Sequence, residues 1–232
     1  GELTYSKQNI SISAPGTDLE FIHTYSNAAN LEMGPLGYGW SHNYMSRIIE
    51  RDCGVIVVTG TDGGMTRFRN INGIISPMRG YHSVLEKNED GSYSFYSKNG
   101  THYHYSPYPN SGWWNDYIED TNGNRLTIQL QQTGQYAPII KSVTDSTNRK
   151  LHYHYTVQSF QCQQNVCGTS GQVLTQITGP EQLEINFEYN EYGQLASVQQ
   201  CISGNCQMKE SYSYRPKANE YILDYESNLL SV

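Results

Sequence analysis

Glu119-Asp-Thr-Asn-Gly-Asn-Arg-Leu-Thr-Ile128 can be laid over Thr144-Asp-Ser-Thr-Asn-Arg-Lys-Leu-His-Tyr153, so that Asp120 falls on Asp145 and Leu126 on Leu151. Each copy is a polar turn followed by a strand whose apolar side chains alternate, the period that buries one face and wets the other. A third, degenerate copy runs from Ile177-Thr-Gly-Pro-Glu181 through Glu184–Tyr189 into Asn190-Glu-Tyr-Gly-Gln-Leu-Ala-Ser-Val198. The unit is a β-hairpin: Asn, Asp and Gly supply the turn, and Tyr, Ile and Leu the buried face. One hairpin alone is marginal in water, so such units must stack side by side.

The same grammar extends upstream. Leu19–Tyr25 alternates with Leu19, Phe21, His23 and Tyr25 on one face. Ser83–Lys87 and Ser92–Tyr96 are separated by Asn88-Glu-Asp-Gly91, a hairpin signal, and Lys98-Asn-Gly100 leads into Thr101–Tyr105. No window shows a 3.6-residue period. Composition agrees: the 232 residues hold 20 Tyr and 3 Trp, enough large side chains for a core, but only six Ala. Poor helix formers and turn residues dominate. The expected fold is all-β, with antiparallel hairpin repeats forming a curved sheet.

Charge and hydropathy remove several function classes. Lys plus Arg number 15 against 22 Asp plus Glu, a net charge of −7. The densest basic stretch is Arg67 and Arg69, too little to release the phosphate counterions that duplex binding requires, so nucleic acid is not an expected partner. The longest aliphatic run, Val55–Val58, cannot span a bilayer, and the N-terminus has no charged region followed by an apolar one.

At the third repeat the pattern becomes specific. Phe187-Glu-Tyr-Asn-Glu-Tyr-Gly-Gln-Leu-Ala-Ser-Val198 resembles the YD repeat, Tyr-Asp-x-x-Gly-Arg-Leu and a strand, with Asn190 in place of the Asp and Gln194 in place of the Arg. Asp120-Thr-Asn-Gly-Asn-Arg-Leu126 is similar to another form of the same repeat. Gly34-Pro-Leu-Gly-Tyr-Gly-Trp-Ser-His-Asn-Tyr44 resembles the Gly-Pro-Gly-Trp-Ser/Thr block that opens many Rhs (rearrangement hot spot) proteins. Leu19-Glu-Phe-Ile-His-Thr-Tyr-Ser-Asn27 is similar to the strand before that block, with His23 where Arg is usual, and Gly1-Glu-Leu to the family's Gly-Asn-Leu start.

The resemblance implies a β-sheet wound into a hollow shell around a toxic C-terminal domain, exported from a bacterium to be secreted or held at the cell surface. Residues 1–115 would then be an Rhs N-terminal-like β region and 116–232 degenerate YD-repeat hairpins. The partners would be the remainder of the shell and a toxin cargo or secretion apparatus. The Asp-Pro-x-Gly-Leu self-cleavage block and the variable toxin domain of such proteins are not in this sequence, so 232 residues would form only the opening portion of a shell.

Residues with chemistry of their own remain to be weighed. Cys162-Gln-Gln-Asn-Val-Cys167 and Cys201-Ile-Ser-Gly-Asn-Cys206 share one spacing, each flanking four residues between strand-like stretches. Facing positions below a hairpin turn approach disulfide distance, so Cys162–Cys167 and Cys201–Cys206 are candidate disulfides; free thiols and one shared zinc are the alternatives. Cys53 reads as a small buried residue. In Thr101-His-Tyr-His-Tyr105 and Leu151-His-Tyr-His-Tyr155 the histidines share one face of a strand and the tyrosines the other. A metal there is less expected than a wet histidine face over a tyrosine core.

Gly34–Gly39 reads as a tight turn passing under a core Trp40. Trp113-Trp114, beside Asn115 and Asp116, is either an interior aromatic pair or a sugar-stacking platform. No GxSxG, HExxH or Ser-x-x-Lys occurs, so no enzyme and no cofactor are expected. Two readings stand: a non-enzymatic shell segment, and a secreted or surface carbohydrate-binding module contacting glycan through Trp113 and Trp114. Strands expected at Met208–Tyr214 and Glu220–Tyr225, with Pro216 in their connection, would leave an open edge able to pair with a second copy.

Overall fold

In the computed structural model the described residues are 4–27, 33–133, 137–161, 170–217 and 220–224. Among them there is no α-helix, and the architecture is antiparallel β throughout, as the repeats imply. The chain divides into two units, each discontinuous in sequence: Gly1–Asn9, Phe21–His42 and Leu151–Val232 make the first, Ile10–Glu20 and Asn43–Lys150 the second. Residue 115 lies inside the second unit.

Near the N-terminus, β1 (Thr4–Ile12), β2 (Leu19–Ser26) and β5 (Trp40–His42) form a three-stranded sheet in the order β1-β2-β5. The alternation read from the sequence is realised: Leu19, Phe21, His23 and Tyr25 are all buried. Between β2 and β5, β3 (Met33–Gly34) and β4 (Gly37–Tyr38) close the small glycine-rich hairpin. It delivers Trp40 to the core, where Trp40 packs among His23, Tyr25 and Tyr212 at centroid distances of 4.7–5.3 Å.

The second unit curls on itself. β6 (Arg47–Arg51), β7 (Val55–Thr59), β8 (Met65–Ile71) and β9 (Ile74–Pro77) pair in sequence. So do β10 (Val84–Lys87), β11 (Tyr93–Tyr96), β12 (His102–Tyr108) and β13 (Gly112–Glu119). The two halves join where Trp113 and Trp114 pair with Ile48 and Arg47. At the other side β9 and β10 lie side by side without a hydrogen-bonded ladder. The ring of eight strands encloses Ile48, Ile56, Val58, Phe68, Leu85, Tyr93 and Tyr105. Beyond it, the Tyr117–Glu119 end of β13 pairs with β14 (Arg125–Gln131), and β14 pairs with β15 (Ile139–Thr144).

The first unit resumes with the meander of β16 (Lys150–Ser159), β17 (Ser170–Gly179), β18 (Leu183–Tyr189), β19 (Leu195–Ile202) and β20 (Asn205–Ser211). Register shifts within the β16–β17, β18–β19 and β19–β20 ladders mark bulges, which bend and twist a sheet locally. The expected final strands are corrected in detail. The strand over 208–214 is interrupted at Tyr212, whose N–H donates to the Ala196 carbonyl at 2.8 Å. β21 (Ser213–Lys217) then pairs with β22 (Glu220–Asp224). Pro216 therefore sits inside a strand, opposite Tyr221, and β22 takes β21 as its neighbour. Tyr225 lies outside the described residues.

One turn design recurs. In the loops beginning at Gly60, Asn88, Ser97, Asp120, Asp145 and Asn190, the first residue's N–H donates to the carbonyl of the fifth, and the fourth's N–H donates to the carbonyl of the first. The fourth residue always has positive φ: glycine in five cases and Asn148, at 65°, in the sixth. At Asp120, Asp145 and Asn190 the side chain also caps the turn. Asp120 Oδ1 accepts from Asn122 and Asn124 N–H, Asp145 Oδ1 from Thr147 and Arg149 N–H, and Asn190 Oδ1 from Tyr192 and Gln194 N–H, at 2.8–3.1 Å. The leucine that follows, Leu126, Leu151 or Leu195, is buried in every copy. The repeat thus has a physical content: an acceptor that ties the turn, a residue able to be left-handed, and a core anchor.

Among the described residues no helix is long and apolar enough to cross a membrane.

Candidate functional site

The two tryptophans do not form one platform. Being adjacent on β13, they point to opposite faces. Trp114 is 2% exposed, and its indole N–H donates to the Ser111 carbonyl at 3.0 Å. Trp113 packs against the core of the second unit, edge-on to Tyr93 at 5.1 Å, and its N–H donates to the Gly91 carbonyl at 2.8 Å. The Lys87 ammonium lies 5.1 Å over its ring. Both indole donors are thus satisfied within the protein.

The histidine pairs separate as well. On β16, His152 and His154 are exposed while Tyr153 is buried, the wet face over a tyrosine core. On β12 the bulge between His104 and Tyr105 makes Asp116 an extra residue on β13, and its carboxylate is turned back onto the histidine face. His104 Nδ1 lies 2.7 Å from Asp116 Oδ1, and its Nε2 lies 3.0 Å from Ser92 Oγ. Ser106 donates to the other Asp116 oxygen at 2.7 Å. Tyr117 stacks on the His104 ring at 4.7 Å, and the Arg125 guanidinium lies over the Tyr117 ring at 3.9 Å. His102, bonded to Ser94 Oγ at 3.1 Å, is held below the usual histidine range by burial and by His104.

Ser92, His104 and Asp116 have the connectivity of a serine–histidine–carboxylate relay, which no sequence motif reveals because its members come from the β10–β11 turn, β12 and β13. Its chemistry is restrained. Ser92 is 2% exposed, its hydroxyl donates to Asp90 at 2.6 Å, and Asn88 Nδ2 donates to the same oxygen at 2.8 Å. A nucleophile needs an accessible oxygen whose proton goes to the base; this oxygen is enclosed and its proton is given to a carboxylate. That bond in turn holds the Asp90 carboxyl below its ordinary range. The arrangement works as a strut fastening the β10–β11 turn to β12 and β13.

Cys201 and Cys206 face each other across β19 and β20, bracketing the Ser203-Gly204 turn, and are joined in a disulfide. Cys162 and Cys167 lie outside the described residues. Cys53 corrects the buried expectation: it is exposed, with φ of 60°, in the turn between β6 and β7, away from the strand faces that alternate between core and solvent. Among the described residues no group of three or more His, Cys, Asp or Glu is arranged to hold a metal.

Two histidines lie in the interior, His23 on the face its alternation assigns and His42 with no signal in local spacing. His23 and His42 are direct cross-strand neighbours on β2 and β5, 0% and 5% exposed, among Phe21, Trp40 and Tyr153. His23 Nε2 bonds the Tyr212 hydroxyl at 2.7 Å, whereas His23 Nδ1 and both His42 nitrogens have no partner within the described protein. Burial pushes both imidazoles down to about 3; Lys7 adds to the effect at His23, and His23 adds to it at His42. The spacing of His23 with Leu19, Phe21 and Tyr25 on β2 is what places it inside.

Residues 1–68 match a family model described as a domain of unknown function, DUF6531. No curated protein matches. Among solved structures, the chain is similar to part of the TcdB2-TccC3-Cdc42 crystal structure, with a TM-score of 0.58 at 12% identity over 92% of this chain and 16% of that one. A Tc holotoxin pore of Photorhabdus luminescens gives 0.56 at 13% identity, again over 92% and 16%. The N-terminal domain of effector protein SpvB from Salmonella typhimurium strain LT2 gives 0.48 at 12% identity, over 94% of this chain and 98% of that domain. The chain therefore spans a small fraction of the toxin-complex chains whose fold it shares.

Proposed function

We propose that this chain is a non-enzymatic structural segment of an exported toxin's shell, of the Rhs/YD-repeat kind, whose wall helps enclose or deliver a toxic C-terminal domain. The observation that carries the reading is the stacked antiparallel hairpin wall with its repeated turn, in a fold shared with toxin-complex chains over 92% of this sequence. The motif blocks at Gly34–Tyr44 and Phe187–Val198 support the same assignment. Its partners are the rest of the shell and the cargo, and its polar clusters serve to brace turns. Expressed in its complete reading frame, it is expected to appear by cryo-electron microscopy as part of a hollow β shell. The C-terminal polypeptide should resist protease until the shell is denatured; a C-terminal polypeptide digested as fast as free protein would overturn the reading. The carbohydrate-module reading keeps one contact, the partly exposed Trp113. Glycan-array binding abolished by Trp113→Ala would favour it.

A further inference from the structure

The hairpin of β8 and β9 ends in an apolar tip. Ile71 and Ile74 are direct partners on either side of the Asn72-Gly73 turn, and they are 58% and 74% exposed. The inward-facing residues of the same hairpin, Phe68 and Ile75, belong to the core, so the tip is not needed to complete it. On the outward face Arg69 and Arg67 follow Ile71 at alternate positions, both exposed. Arg51 is opposite Val55, and Val55 is opposite Arg69, which puts Arg51 in the same outward row. None of the three makes an ion pair among the described residues, in a chain whose net charge is −7. In the neighbouring β6–β7 turn, Gly54 lies against the backbone of Asn70. The turn leaves Ile71 and Ile74 exposed, and Asp52, also exposed in that turn, offsets one of the three positive charges.

We propose that this hairpin docks on an anionic lipid surface, with Ile71 and Ile74 entering the headgroup–acyl boundary and Arg67, Arg69 and Arg51 meeting lipid phosphates and carboxylates. The spacing fits. At roughly 3.4 Å per residue, Arg69 sits about 7 Å behind Ile71, and interfacial apolar groups bury about 5–10 Å deep. The tip is convex, so it enters a soft surface, whereas an extended peptide would need a groove. Anionic charge is required behind the apolar layer, which a lipid headgroup plane supplies at the right depth. Each arginine near such a surface is worth about a fivefold gain in partitioning.

Vesicle co-sedimentation tests the proposal. The chain is expected to sediment with phosphatidylcholine vesicles containing phosphatidylserine at least fivefold more than with phosphatidylcholine alone, and to be released by salt. Arg67→Glu with Arg69→Glu should abolish that preference. Ile71→Ser with Ile74→Ser, which leaves the charge unchanged, should weaken binding about tenfold. Near-UV circular dichroism verifies that each variant is folded. In a separate readout, Ile74→Trp fluorescence should be quenched by brominated lipids beyond the quenching of the native tryptophans. Binding indifferent to the isoleucines would mean adsorption by charge alone and would overturn the proposal. So would absence of sedimentation with either vesicle, which would leave the tip to a protein pocket.

Discussion

Gly123 and Asn148 occupy the same left-handed position in two copies of one turn, with φ of 81° and 65°. A Cβ at Gly123 would meet nothing within 4 Å, so its substitution isolates the backbone term. Gly123→Ala should destabilise by about 1–2 kcal/mol, while Asn148→Gly should change stability by no more than about 0.5 kcal/mol, since Asn already tolerates the conformation and Gly adds chain entropy. Urea denaturation of the two variants checks both numbers. Ser92 belongs to this scale too. Enclosed and donating to Asp90, it should remain unlabelled by a fluorophosphonate probe, and His104→Gln should loosen the β10–β11 turn in hydrogen exchange. Labelling of Ser92 that His104→Gln abolishes would instead make the relay catalytic. The turn residues were legible in the sequence because their roles are local. Ser92, His104 and Asp116 were not, because a bulge in β13 brings them together.

At the scale of the element, the hairpin is the repeating part and its closure is testable. The Cys201–Cys206 bond spans one tight turn, so the loop it closes is short and the entropy it removes from the unfolded chain is modest. By the loop-closure relation, reduction or Cys201→Ala with Cys206→Ala should cost about 2 kcal/mol, read as a lower denaturation midpoint with near-UV dichroism retained. Thiol counting under native conditions should find Cys53 reactive, since it is exposed. The spacing of the pair pointed to a hairpin, and cross-strand register made the two cysteines partners. Pro216 shows the opposite case: a residue expected in a connection lies in a strand, because β21 has β22 on one side and a proline is tolerated where no ladder donor is needed.

At the scale of the whole molecule, His23 and His42 set a pH dependence. Both are neutral in the fold, with values near 3 against 6.5 in the unfolded chain. Below pH 6.5 the unfolded state takes up protons that the folded state refuses, so stability falls as pH drops, through a window ending near pH 3. Each histidine contributes about 1.4 kcal/mol per pH unit there, and the pair about 4 kcal/mol between pH 7 and 5. Denaturation at the two pH values should show that loss, and His42→Phe should remove roughly half of it. Equal stability at pH 7 and 5 would mean that the histidines are hydrated or paired. The sequence by itself determined the hairpin period, the turn chemistry and the leucine anchors, because each depends on residues a few positions apart. Tertiary structure alone decided that the chain packs as two units interleaved in sequence and that β6 pairs with β13. It also decided that two histidines end buried as cross-strand neighbours and that two adjacent tryptophans part to opposite sides. Those outcomes depend on contacts between residues far apart in the chain, which strand order and bulges set and local spacing does not encode.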